Sequence, residues 1–134
     1  MTNFNTFLAM DFGAESGRAE LITLKGRKIT MKEIHRFPNR PVRLAGTLYW
    51  DLPSLYAEIL TSLKICAEHK VKLAGMGIDT WGVDFGLLDK RGKLLSNPVH
   101  YRDQRTNNIH RYSGKIMSND EIFAETGCEP WAIS

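Results

Sequence analysis

Cysteine is almost absent. Cys66 and Cys128 are the only two, they lie far apart, and neither sits in a Cys-x-x-Cys pair, so no zinc knuckle or dithiol redox centre is encoded and both are expected to be buried thiols. The histidines, His35, His69, His100 and His110, have no metal-ligand spacing between them and read as structural or surface residues. Long apolar runs are also missing: none approaches the roughly 20 residues that cross a bilayer, so no membrane span is expected. Met1 to Thr6 lacks the basic and apolar regions of a secretory leader, which makes the cytoplasm the default location. The formal charge of +3 is spread along the chain without a basic run, so no nucleic-acid partner is expected. Two nucleotide motifs are excluded as well. The glycines follow Gly13-x-x-x-Gly17, without a Gly-Lys-Ser/Thr and without a helix opening after them, so neither a dinucleotide fingerprint nor a P-loop is present.

What is present begins with Phe7-Leu-Ala-Met-Asp-Phe-Gly-Ala-Glu-Ser-Gly-Arg18, an apolar run ending in Asp11 and followed by a turn of small residues. Backbone N–H groups approach phosphate oxygens closely only where side chains are short or lacking. Residues 19–25 and 28–37 are β-branched and apolar around a Gly26-Arg27 turn, so the phosphate-type turn joins two strands. At 134 residues with 43% hydrophobic content the chain is one domain or part of one.

Further along, residues 39–46 read as a polar loop and 47–50 as a short strand. Asp51 is a good N-cap, and Leu52, Leu55, Tyr56, Ile59, Leu60, Leu63, Cys66 and Ala67 keep the spacing of one apolar helix face. Val71 to Asp79 reads as a buried strand, placed by a right-handed crossover parallel to an earlier one. Residues 83–88 and 93–95 read as a further hairpin, and Ser118-Asn-Asp-Glu121 as a capping box for a helix stopping at Gly127.

Ligands in open α/β sheets gather outside the carboxyl ends of the strands. Asp11, Asp79 and Asp84 stand at or near such ends and together could hold a hydrated magnesium ion through water and phosphate; equally, Asp79 caps a turn and Asp84 alternates outward. Thr80-Trp81-Gly82 pairs an indole face with a bare backbone position, suited to a sugar ring or, alternatively, to a core tryptophan beside a turn glycine. Arg102-Asp103-Gln104-Arg105 offers donors and an acceptor for hydroxyls, or a solvated face. A ribonuclease-H-like nuclease would need Asp11, Glu58 and Asp79 together on metal, and Glu58, off the apolar stripe, is expected to point to solvent.

Taken in order, Met10 to Arg18, Glu33 to Phe37, Trp50-Asp51, Gly77 to Phe85, Leu87 to Asp89 and Pro98 to Asn107 resemble the sugar kinases of the FGGY family, with Gly77 to Phe85 the most specific part. The resemblance implies an α/β, ribonuclease-H-like lobe of the actin/hexokinase/Hsp70 type, a mixed sheet with antiparallel first strands and a parallel crossover strand. It implies transfer of the ATP γ-phosphate to a ketose, with ATP and Mg2+ required. In this reading Ala14, Glu15, Ser16, Gly17 and Arg18 contact ATP, and Asp11 and Gly13 approach its magnesium and phosphates. Gly82 touches the ketose, and Trp81, Tyr101, Arg102 and Asp103 line its site. Family members are several times longer and carry the general-base aspartate later, so residues 1–134 correspond to the N-terminal part of the first lobe, inactive alone, with no catalytic base of their own and 128–134 an atypical tail. An exposed inter-lobe surface would also permit self-association.

Overall fold

The computed structural model describes residues 5–128; the tail beyond 128 lies outside the described residues. The chain opens with three strands, β1 (Asn5–Phe12), β2 (Ser16–Lys25) and β3 (Lys28–Pro38), each antiparallel to the last. A two-stranded ribbon follows, β4 (Val42–Leu44) with β5 (Thr47–Tyr49), where the sequence reading expected loop over 39–46. Its first strand is three residues long and fully exposed, so it carries no buried alternation for a sequence to reveal.

Helix α1 (Leu52–Glu68) starts where expected: the Asp51 carboxylate accepts the Ser54 N–H, and Pro53 occupies the first turn, where its missing donor costs nothing. β6 (Leu73–Asp79) then pairs parallel with β1, giving the order β3-β2-β1-β6. This is the mixed sheet with a parallel crossover strand that the sequence implies.

One face of the sheet carries the core. Leu8, Met10 and Phe12 alternate inward from β1, Ala19 from β2 and Phe37 from β3, and they pack under Leu55 and Cys66 of α1. Gly17 is part of this core: a Cβ there would lie 2.3 Å from the Phe37 ring and 3.0 Å from Phe12, whose rings meet edge to face at 5.4 Å. Burial pushes the Cys66 thiol above its usual pKa.

Several expectations change. The helix stripe splits: Leu55, Ile59, Ser62 and Cys66 face the sheet, while Leu52, Tyr56, Leu60 and Leu63 are exposed. An apolar band this wide covers more of the helix surface than the sheet beneath it occupies. β6 is an edge strand with Met76 and Ile78 about half exposed rather than a buried strand, because no described strand lies beyond it. Residues 83–95 hold a single bridge, Leu88 with Leu94, instead of a hairpin, and Cys128 is exposed. The remaining elements are a 3-10 turn (Gln104–Thr106), α2 (Ile109–Ser113) and α3 (Asn119–Thr126), the last opened by the expected Ser118–Glu121 capping box and closed by Gly127 at φ +67°. No described helix is long and apolar enough to cross a membrane.

Candidate functional site

The bend between β1 and β2 is tight. Gly13 N–H donates to Ser16 O at 3.0 Å, and a Cβ on Gly13 would sit 2.9 Å from that same carbonyl, so only glycine fits. Asn39, at the end of β3 and 5% exposed, straps the bend from behind: its Nδ2 donates to Gly13 O at 3.0 Å and its backbone N–H to Glu15 O at 2.9 Å. With those carbonyls taken, the N–H groups of Ala14 and Glu15 make no hydrogen bond among the described residues. Two unspent amide donors on a rigid bend are the elements of an anion cradle. Sequence reading missed Asn39, since a lone Asn before Arg-Pro signals a turn and nothing in the local pattern reveals a partner 26 positions away.

A cavity of about 580 Å³ opens at this bend. Gly13, Ala14, Glu15 and Ser16 form one wall, Arg40 and Pro41 another, and His100, Tyr101 and Arg102 a third. The structure thus brings Gly13 to Ser16 of the expected phosphate side together with Tyr101 and Arg102, two residues expected at the ketose, with the Arg102 guanidinium 5.3 Å from the Tyr101 ring centre.

Trp81 lies elsewhere. It lines a second cavity of about 270 Å³ at the carboxyl ends of β1 and β6, with Phe12, Trp50, Ile78, Thr80 and Asp84. The two cavities are joined by a run of rings: Trp81 on Trp50 at 4.3 Å, Trp50 on His100 at 4.0 Å and His100 on Tyr101 at 4.5 Å. Trp50 is 1% exposed, and its backbone N–H donates to Pro98 O at 2.9 Å, fixing the loop that carries the other rings. His100 Nδ1 accepts the Arg102 N–H at 2.9 Å, and burial holds the imidazole below its usual pKa, in the neutral form an acceptor requires. Gly82 is exposed, with nothing within 4 Å of the position a Cβ would take.

Three residues expected to contact ligands carry a structural function. The Gly17 side-chain position is filled by aromatic rings of the core, which blocks ligand approach on that face. Asp103, 6% exposed, spends its carboxylate on the Leu48 N–H at 2.7 Å and the Arg105 N–H at 2.9 Å; these bonds hold it below the usual carboxylate pKa and tie the loop to β5. Asp84 turns away from any metal trio, its Oδ2 accepting the indole N–H groups of Trp50 at 2.7 Å and Trp81 at 3.0 Å. Among the described residues no group of three metal-ligating side chains is assembled.

Asp11 and Arg18 alternate to the sheet face opposite α1, where Arg18 Nη2 meets Asp11 Oδ2 at 2.7 Å. Asp79 stands beside Asp11 in parallel register. A pair of carboxylates on neighbouring strand ends, completed by water and phosphate oxygens, is a donor set that magnesium accepts. Glu58 points toward the sheet rather than away from it as expected: its Oε2 meets His35 Nε2 of β3 at 2.6 Å, with part of the side chain still exposed. That contact lies on the α1 face, so the sheet separates Glu58 from Asp11 and Asp79 and the nuclease trio is not formed.

Residues 6–133 match the sequence profile of the FGGY family of carbohydrate kinases, N-terminal domain. Among curated relatives, the rhamnulokinase of Bacteroides thetaiotaomicron is 41% identical over 123 residues, covering 92% of this chain and 25% of its own length. The rhamnulokinase of Halalkalibacterium halodurans is 41% identical over 125 residues, covering 93% and 27%. The chain therefore spans about a quarter of the length of these relatives. Among solved structures, gluconate kinase from Lactobacillus acidophilus shares the fold, with a TM-score of 0.73 at 14% identity over 94% of this chain and 25% of that one.

Proposed function

The chain belongs to the FGGY family of carbohydrate kinases, and on that premise we propose that residues 1–134 form the N-terminal part of the first lobe of an ATP-dependent sugar kinase. The reaction is transfer of the γ-phosphate to L-rhamnulose, giving L-rhamnulose 1-phosphate. The second lobe and the general-base carboxylate lie outside these residues. The observation that carries this reading is the strapped β1–β2 bend, with the unspent N–H groups of Ala14 and Glu15 on the wall that Tyr101 and Arg102 close from the other side.

Phosphoryl transfer asks little covalent chemistry of a protein; it asks for fixed donors and an oriented acceptor. The bend amides and Arg102 bind phosphate oxygens, and the Asn39 strap keeps those amides from reorganising during transfer. Asp11 and Asp79 would hold a magnesium ion through water, and the ion would supply charge neutralisation for the nucleotide phosphates. The ketose lies with its C–H face against Trp81 and its hydroxyls beside the open backbone at Gly82.

The test is ligand-observed NMR on the purified chain with MgATP, L-rhamnulose and L-fuculose, together with a coupled assay for ADP. Binding of MgATP and a preference for L-rhamnulose are expected, without turnover. Absence of binding by both ligands overturns the kinase reading, a preference for L-fuculose overturns the choice of sugar, and sugar-dependent ADP formation overturns the missing base.

A further inference from the structure

The segment after β6 contains an unusual backbone feature. Val83 has φ +81°, a region that a β-branched residue rarely enters and occupies only under strain. Strain of this kind persists only where neighbouring contacts over-determine the chain. The contact is on the next residue. Asp84 accepts both indole N–H groups on one oxygen, Oδ2, and no hydrogen bond among the described residues falls on its Oδ1. Charge-assisted bonds to a carboxylate are the stronger class. Here they fix the orientation of two rings 4.3 Å apart, one just before α1 and one just after β6. Both rings, and Asp84 itself, line the 270 Å³ cavity.

We propose that Asp84 is a positioning residue for the sugar: it holds Trp50 and Trp81 as a single rigid wall and presents Oδ1 as the acceptor for one ketose hydroxyl. The strained turn at Val83 is what brings the carboxylate back over the indoles. This inference rests on the ketose reading above and assigns a function to a carboxylate whose sequence position left it between metal ligand and outward-facing residue.

The experiment is NMR of the chain labelled with 15N-tryptophan, titrated with L-rhamnulose, for wild type, Asp84→Ala, Asp84→Asn and Asp84→Glu. Without sugar, Asp84→Ala is expected to shift both the Trp50 and Trp81 indole N–H signals upfield and speed their exchange with solvent. The Leu48 amide, tied to Asp103, should stay in place as the sign of an intact loop. With sugar, affinity should fall at least tenfold in Asp84→Ala, and Asp84→Glu should recover part of it because the carboxylate is retained. If Asp84→Ala does not fold, Asp84→Asn, which keeps shape and loses charge, should weaken sugar binding more than Asp84→Glu does. Unchanged affinity in a folded Asp84→Ala, or the same loss in Asn and Glu variants, overturns the assignment. A wild type whose indoles ignore L-rhamnulose overturns the ketose reading first and this proposal with it, whereas wild-type binding without loss in the variants overturns this proposal alone.

Discussion

The sheet with its helix, residues 5–79, and the ring-bearing segment, residues 80–106, are held together by different physics. In the first, strands pair along their length and Leu8, Met10, Phe12 and Phe37 exclude water beneath Leu55 and Cys66. The second has almost no ladder. It is pinned by single long-range bonds, Asp84 to the Trp50 indole, Asp103 to Leu48 and His100 N–H to Leu48 O, and by stacked rings. A cooperative core tolerates the loss of no large side chain but responds as a unit; a pinned segment comes free pin by pin. The candidate phosphate bend belongs to the first region, whereas the proposed sugar wall joins Trp50 of the first to Trp81 of the second, so the proposed nucleotide side rests on the stiffer part.

The largest expected effect that would break this contrast comes from Phe37→Ala. The ring closes over Gly17, and its removal should lower global stability by about 3–5 kcal/mol, measured by urea denaturation, with the bend and the ring segment unfolding together. Asn39→Ala should cost about 1–3 kcal/mol, because the Gly13 carbonyl loses its side-chain donor, and hydrogen exchange should quicken at residues 13–16 while the ring segment is unaffected.

Acid sharpens the contrast from the other side. His100 is held below its ordinary pKa of 6.5 by burial, so its protonation favours the loosened form; the stabilisation is full above that value and is lost as pH falls toward the folded pKa. Asp103, held below 3.8 by the Leu48 and Arg105 N–H groups, gives a second loss only as pH falls below that value. Near-ultraviolet circular dichroism should therefore decline below about pH 6.5 while the far-ultraviolet signal of the sheet holds, and His100→Phe should remove the first step. The smallest effect is expected from Glu58→Gln. The His35 contact is partly solvated, and its loss should cost less than about 1 kcal/mol, seen as a slight fall in thermal midpoint.

The two regions also differ in how far the sequence discloses them. β1, β2, β3, α1 and β6 are visible in alternation, in the Asp51 cap and in the crossover spacing, because each rule acts over a few neighbouring residues. Two features of the site are legible in the same way: the short-side-chain bend and the Trp81-Gly82 tip. What escapes is whatever depends on distant partners. Nothing near Asp84 or Asp103 announces that one carboxylate clamps two indoles or that the other ties to a strand 55 positions earlier. Gly17 looks like a phosphate glycine from its spacing, and only the packed Phe37 ring shows that the core requires it. The exposed half of α1 shows the converse, since periodicity finds an apolar face but not how much of it a neighbour covers.

Amide NMR of the 15N-labelled chain titrated with MgATP decides whether the β1–β2 bend is a preformed phosphate cradle. Shifts are expected to centre on Ala14 and Glu15, extending to Asn39 and Arg102 and leaving the Trp50 and Trp81 indoles in place. Shifts confined to other surfaces, with the bend amides unmoved at saturating nucleotide, would contradict the cradle.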